Sequence, residues 1–512
     1  MQKITSPRLV GRGPKIPWLY IILGGLLSVV VTAYSAYAGL KIGGVYWPIL
    51  ATSVFSMAIL RIFGVKNTNI VNIVQTGANT GGMLAAGIIF TVPAAWILGF
   101  QFTIIQITLI ALIGSLLGLL FSIPLRTKLL HLPYPDGTAA ATVIKSQDQS
   151  GQKTKKLAIA SILGGILAAA RDGFGIIPGS ISFINLSFIG LSGGFLIGTL
   201  FTAIWFLGSV VSYFILGNFI SRPDLTNTGI GMIIGTSLAY LLTTIFPLLK
   251  TLLKDWRNLP VLQRNYFISL LILAVVVLTI FTKANFAITV FSTIGAFLMG
   301  SVAAFVTGQL NIDPMEIFAI ITLLVVKFLF PADFSSLIVL AALITIAAGV
   351  AGDIMQDYKT GKLLNTPPHL QTIAQIVGNI TASLTIGFII IAIAHTSGFG
   401  NNAFPAPQAT AIAGTIKSQS IQTPMIIGVV TGAILSFALS FKNLGLSPIA
   451  FGIGMYVPQS LSISLFLGGL VRAWSDSKKR TDDDRLTAAG LIAGESLVGV
   501  ILTITQFIKT IL

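Results

Sequence analysis

Long apolar stretches separated by short polar ones run through the whole chain. Charge-free windows occur at 18–40, 102–125, 230–249 and 373–394, and the window 486–508 carries a single charge, Glu495. Each is about 20 residues or more, the length that crosses a hydrocarbon core of ~30 Å. Further apolar segments lie at 45–63, 69–93, 157–170, 184–217, 266–282, 285–306, 315–330, 335–352, 424–441 and 446–471. Those at 184–217 and 446–471 have room for two passes. A bilayer offers no water to unpaired backbone groups, so such windows must be helices. A membrane β-barrel would show short alternating segments instead. The predicted fold is an all-α polytopic membrane protein with roughly 16 transmembrane helices. Two shorter stretches, 134–145 and 404–416, are proline-led and rich in small residues, which predicts re-entrant or broken elements.

The polar positions within those two stretches reveal a duplication. PDGTAAATVIKSQ (135–147) returns as PQATAIAGTIKSQ (407–419), with 8 of 13 positions identical at an offset of 272. GMIIGTSLAYLLTTI (231–245) pairs with GLIAGESLVGVILTI (490–504) at 7 of 15 positions, offset 259. The matches keep their order, so two internal repeats are predicted, 17–250 and 285–512. Between them lies a basic loop and linker helix, 251–284. Basic residues are distributed oppositely in the two copies. Arg126 and Lys128 precede the first proline-led segment, whereas 396–403 before the second has no cation. The 472–485 loop has five cations and its counterpart, 218–228, only Arg222. Because positive charge marks the cytoplasmic side, inverted repeats are expected. Duplicated units interrupted by proline and glycine at matching places point to transport.

Composition narrows the class. Hydrophobic residues make up 54% of 512 positions and charged residues 9%, far below the ~25% charged of soluble domains. The net charge of +16 sits at helix ends, for example Lys250, Lys254, Arg257 and Arg264. That pattern fits topology signals and anionic lipid rather than nucleic acid. The tail 1–16 carries Lys3, Arg8, Arg12 and Lys15 and runs into a full-length span. A retained first helix with a cytoplasmic N-terminus is therefore expected. Cysteine is absent, and His131, His369 and His395 are not at metal-ligand spacing. No metal site or cofactor is expected.

Polar groups inside apolar segments are costly and so mark candidate sites. Asp353, Gln356, Asp357 and Tyr358 fall in GDIMQDYKTGKLLNTPP (352–368), where helical spacing puts Asp353, Gln356 and Asp357 on one face. They read as a translocation-path cluster or as a solvated helix end. Glu495 has no cation within nine residues on either side and its repeat-matched residue is Thr236. It reads as a proton carrier or as a carboxyl bonded near a helix N-terminus. Asp136 and Gln408 are repeat-equivalent and follow Pro135 and Pro407. With Thr138 and Thr410 they could meet a substrate's polar ends at unwound backbone, or act as ordinary N-caps. Asn72, Gln75 and Asn79 in NIVQTGANTGG (72–82) are either substrate contacts or interhelical packing. Lys41 and Glu316 read as helix-end anchors.

The segments AGLKIG (38–43), PDGTAAATVI, AGDIMQDYKTGKLL (351–364), FPAPQA (404–409), IGMYVP with SISLFLGGLVR (453–472) and GLIAGES (490–496) identify a resemblance. The chain resembles the oligopeptide transporter family, which includes the yellow-stripe-like metal-chelate transporters. The resemblance covers nearly the whole length. It implies a secondary active, proton-coupled importer whose substrates are short peptides or metal complexes of amino-acid-derived chelators. The absence of a long hydrophilic N-terminal tail resembles prokaryotic members.

The expected function is proton-coupled symport of short oligopeptides or related amide-rich solutes into the cell across the cytoplasmic membrane. Import of metal-chelator complexes is the alternative. An intramembrane enzyme built on the acidic run TDDDR (481–485) is a remote third, and no enzyme activity is expected. A passive channel suits two broken elements less well than alternating access. No G-K-[ST] phosphate loop is present to use ATP. The expected substrate-binding residues are Gln75, Asn79, Asp136, Thr138, Asp353, Gln356, Tyr358, Gln408 and Thr410. Glu495 and Asp353 are the expected proton-coupling residues. Expected partners are a small peptide or metal chelate, protons and membrane lipids, with a homodimer as an option and no nucleic acid. Inversion predicts that tags at 126–128 and at 396–403 are accessible from opposite sides of the membrane. Accessibility of both from one side contradicts it.

Overall fold

The computed structural model describes residues 16–45, 48–145, 150–178, 180–181, 184–240, 242–243, 261–310, 313, 315–417, 423–440 and 447–511. The basic tail (1–15) and the loop containing Lys250, Lys254 and Arg257 lie outside the described residues, as do the side chains of Arg264, Asp482 and Asp483.

The described residues are helical almost throughout. The first half comprises α1 (Trp18–Ile42), α2 (Pro48–Ile62), α3 (Thr68–Thr91), the single turn α4 (Ala94–Ile97), α5 (Ile104–Leu129), α6 (Pro135–Lys145), α7 (Ser150–Ala168), α8 (Phe188–Ile197), α9 (Thr199–Val210) and α10 (Arg222–Tyr240). After α11 (Val261–Thr282) come α12 (Phe286–Leu310), α13 (Met315–Leu329), α14 (Phe334–Leu364), α15 (Pro368–Thr396), α16 (Pro407–Lys417), α17 (Thr423–Ser440), α18 (Pro448–Tyr456), α19 (Gln459–Ser477) and α20 (Thr481–Ile511). A π-helical turn, Ala169–Gly173, follows α7. Beyond it, a two-residue antiparallel ladder pairs β1 (Ser180–Ile181) with β2 (Ile184–Asn185), Ser180 opposite Asn185.

Among the described residues eight helices are long and apolar enough to cross a membrane, and four shorter apolar helices accompany them. The protein is a multi-pass membrane protein. The stretches 184–217 and 446–471 each divide into two helices as anticipated. However, α8 and α18 have only ten and nine residues, too few to span alone. The first break falls at Gly198, whose φ of 108° excludes most side chains. The second falls at Val457 and Pro458.

Local sequence explains the helix starts. Asn67 caps α3 by accepting from the Asn69 N–H at 2.9 Å, and Thr103 and Gln106 form a reciprocal capping box on α5. Asp333 caps α14 through the Ser336 N–H at 2.9 Å. The apolar window of α14 is 89% buried and that of α3 83%, against 28% for the span beginning with α9. The core therefore lies around α3 and α14, and the α9 region sits at the periphery.

Helix packing comes in matching sets. Helix α1 packs on α3 as α12 packs on α14, α10 on α17 as α20 on α7, α8 on α19 as α18 on α9, and α3 on α15 as α14 on α5. The proline-led segments obey the same correspondence. Both α6 and α16 have 11 residues, about 16 Å of helix and half a bilayer core. Each follows a left-handed residue, Tyr134 (φ 45°) or Ala406 (φ 42°). The Tyr134 N–H donates to Gly308 O of α12 at 3.0 Å, and the Ala406 N–H to Leu40 O of α1 at 2.9 Å. Thr138 and Thr410 donate to Pro133 O and Pro405 O, at 2.9 and 3.1 Å.

Candidate functional site

Stopping a helix within the membrane leaves backbone groups without intrahelical partners. Side chains from α13, α14 and α16 take such groups up. Gln356 Oε1 accepts from the Gly137 N–H in the first turn of α6 at 2.7 Å. The approach requires glycine, since a Cβ at 137 would lie 2.2 Å from Gln356 O. Thr360 donates to Gly137 O at 2.8 Å. On the other side, Gln408 Nε2 donates to Gly43 O, just beyond the end of α1. Lys327 of α13 donates to Thr415 O and Ile416 O at 2.8 and 3.1 Å, which suits a cation at a helix C-terminus.

Next to the start of α6, α3, α14 and α15 bury a network of amides and carboxylates. Asn79 Nδ2 lies 2.9 Å from both Asp353 oxygens and 3.4 Å from both Asp357 oxygens. Gln75 donates to Asp357 Oδ1 at 2.8 Å and accepts from Asn72 at 3.0 Å. Gln371 of α15 donates to Asp357 O at 2.7 Å and reaches Asn72 and Thr76. Asn72, Gln75, Asn79 and Asp357 are fully buried, whereas Asp353 keeps 8% of its surface. That residue is the network's point of access. Among the described residues no lysine or arginine pairs with either aspartate. Amides alone face the pair among the described residues: Asn79 is shared by both carboxylates and Gln75 donates to Asp357.

A further carboxylate, Asp313, lies between α12 and α13. Its Oδ2 sits 2.7 Å from where a Cβ on Gly352 would project, so the glycine makes its room. Both its oxygens are buried and lack a side-chain donor among the described residues. The charges of Asp353 and Glu316 act on it, and Asp136 acts on Asp353.

The structure thus brings Gln75, Asn79, Asp353, Gln356 and Asp136 together around α6. Tyr358 faces away, with its hydroxyl 2.7 Å from Thr372 Oγ1 and its ring 5.1 Å from the Arg126 guanidinium. Thr138 is exposed and turned to the Pro133 carbonyl. Gln408 and Thr410 belong to α16, which packs against α3 from elsewhere. The proton candidate Glu495 is fully buried in a separate cluster. It accepts from Arg171 at 2.9 Å, Ser187 Oγ at 2.6 Å and the Ile189 N–H at 3.1 Å. The missing cation comes from the π-helical turn after α7, a partner that a local window could not show.

Sequence reasoning missed a polar stripe on α15. Gln371, Gln375, Asn379 and Ser383 recur every four residues and are all at least 99% buried. Both amide atoms of Asn379 lack a hydrogen bond among the described residues, and the Gln375 amide acts on Asp357. Their signal was the i, i+4 recurrence of amides in a charge-free span, which a search for charges passes over. Asp313 was signalled by an Asp-Pro pair between two apolar runs.

Buried spans, two half-length helices and interior carboxylates without cations define a polytopic membrane protein of the transporter class. The family model for the OPT oligopeptide transporter protein matches residues 16–243 and 261–506. The chain belongs to that family. A Haemophilus influenzae protein named as an oligopeptide transporter is 27% identical, covering 91% of this chain and 92% of its own length. A Saccharomyces cerevisiae protein named likewise is 24% identical across 38% of this chain and 30% of its own.

Arg171→Met strands the buried Glu495 charge. It is expected to cost about 3–5 kcal/mol, read as a lower thermal unfolding midpoint in detergent. Arg171→Met with Glu495→Met is expected to recover most of that loss.

Proposed function

We propose that the protein is a secondary active symporter that couples the entry of protons to the import of short oligopeptides across the cell membrane. The observation that carries the reading is the Asp353–Asn79–Asp357 arrangement. It consists of two interior carboxylates without a cation, beside the start of a half-length helix. A proton held between them relieves their repulsion, and its release leaves a charge that the membrane interior resists. Proton occupancy can therefore bias the packing of α3, α14 and α6. Of the two proton candidates, Asp353 is the better placed, because Glu495 already has Arg171.

The α15 stripe and Asn79 offer unsatisfied amide donors and acceptors beside that pair. A peptide backbone carries the complementary groups, and both related proteins are named as oligopeptide transporters. The matched packing of the two halves supports a duplicated unit, and the basic-residue asymmetry supports inversion. Substrate then passes between α6 and α16, with Gln75, Asn79, Asp136, Asp353 and Gln356 on one side and Gln408 and Thr410 on the other. Glu495 ties α20 to the turn after α7 by its ion pair with Arg171, and to the start of α8 by hydrogen bonds, as a structural group in this reading.

Asp353→Asn is expected to abolish accumulation of radiolabelled di- and tripeptides driven by an imposed proton gradient in proteoliposomes. Peptide exchange without a gradient should persist. Wild-type accumulation in Asp353→Asn, with its loss in Glu495→Gln, would move the proton to Glu495. Gradient-driven uptake of an iron chelate in place of peptide would assign the cargo to the metal-chelate branch.

A further inference from the structure

Lys41, read from sequence as a helix-end anchor, lines a cavity of about 210 Å³ outside the carboxylate network. Its walls come from the end of α1, the π-helical turn, the start of α8, the loop before α16 and the start of α19. The Lys41 ammonium sits 4.5 Å from the Tyr37 ring centre and 5.5 Å from that of Phe404, and it makes no ion pair among the described residues. The two rings hold the cation in place without neutralising it.

The other charges here are committed differently. Arg171 is 95% buried at its side chain and grips Asp172 through two nitrogens at 2.7 and 2.6 Å. Its third nitrogen reaches Glu495 and Leu186 O. All three Arg171 nitrogens are engaged by protein groups, so it serves as part of the cavity wall. Asp172 remains exposed at the cavity. Ser187, Ser460 and Asn402 add hydroxyl and amide groups, and Asn402 is exposed at the rim. The cavity thus presents the Lys41 ammonium, outside ion-pair distance although its charge acts on Asp172, and the exposed Asp172 carboxylate, whose two oxygens each accept one bond from Arg171 and keep further acceptor capacity toward the cavity. A bare anion would meet Lys41 but be opposed by Asp172. A ligand bringing both a carboxylate and an ammonium satisfies both. The volume is below the ~300–1,000 Å³ of pockets for drug-sized ligands, which suits one or two amino-acid residues.

We propose that this cavity is a binding site for a short zwitterionic peptide, with Lys41 receiving its C-terminal carboxylate and Asp172 facing its ammonium. Pro405 lines the cavity two residues before α16 begins, and Ile42 lines it beside Gly43, the residue gripped by Gln408. A ligand here stands at the entrance to the second half-length helix. The proposal rests on the peptide-transport reading for its biological meaning, while its test does not require transport.

The chain contains no cysteine, so Asn402→Cys introduces a single thiol at the rim. Its labelling by a water-soluble maleimide reports occupancy in the full-length detergent-purified protein. Alanyl-alanine at tenfold excess over its Kd is expected to slow labelling about tenfold. Alanyl-alanine amide and inorganic phosphate should leave the rate unchanged. Added Lys41→Gln should remove the protection and Lys41→Arg retain it. The amide comparison needs no change at Lys41, so it decides the matter even if Lys41→Gln misfolds. Absence of protection by alanyl-alanine, or equal protection by its amide or by phosphate, overturns the proposal. Gradient-driven uptake of peptide without rim protection would leave symport standing and remove this site. Protection without uptake would do the reverse.

Discussion

A helix that stops inside a membrane must find protein partners for the backbone groups it frees, because the bilayer supplies none. The rest of this structure depends on that constraint. Gln356 takes the Gly137 N–H at the start of α6, and Lys327 takes the last carbonyls of α16. The first contact ties α6 to the long helix α14, and the second ties α16 to the 15-residue α13. Both half-helices begin beside backbone of the opposite half, Tyr134 on Gly308 and Ala406 on Leu40. The joints that permit a break are thus the joints that hold the two halves together.

The same long helix that supports α6 also carries the acids. Asp353, Gln356, Asp357 and Thr360 occupy about two turns of α14. They link backbone support, carboxylate pair and half-helix in one rigid unit. A change in protonation at Asp353 is felt by Asn79 on α3 and lies next to the Gln356 contact with α6. Glu495 behaves differently because Arg171 compensates it across the interface. Differently balanced buried carboxylates therefore coexist: Glu495 faces a guanidinium, whereas the Asp353–Asp357 pair faces amides.

Much of this was legible in the chain. Pro135 and Pro407 with their following small residues announced the half-helices, and the polar run at 353–358 announced the acids. Proline, glycine and charge are rare enough in apolar segments to stand out individually. What escaped were relationships set by packing. Arg171 and Glu495 meet only when α20 closes against the turn after α7. Gln375 and Asn379 are uncharged, so only their burial on α15, with the Asn379 amide unpartnered among the described residues, marks them. Tyr358 belonged to the right sequence cluster but points to Thr372, since adjacent positions on a helix face different neighbours.

The central claim is that the carboxylate pair on α14 holds a proton which it exchanges as the transporter works. Infrared difference spectroscopy of the reconstituted protein across a pH step observes the C=O stretch of a protonated carboxyl directly. The account predicts a protonated-carboxyl band that shifts when alanyl-alanine is added and disappears in Asp353→Asn but not in Glu495→Gln. A band that is indifferent to Asp353→Asn, or that vanishes with Glu495→Gln instead, would contradict it.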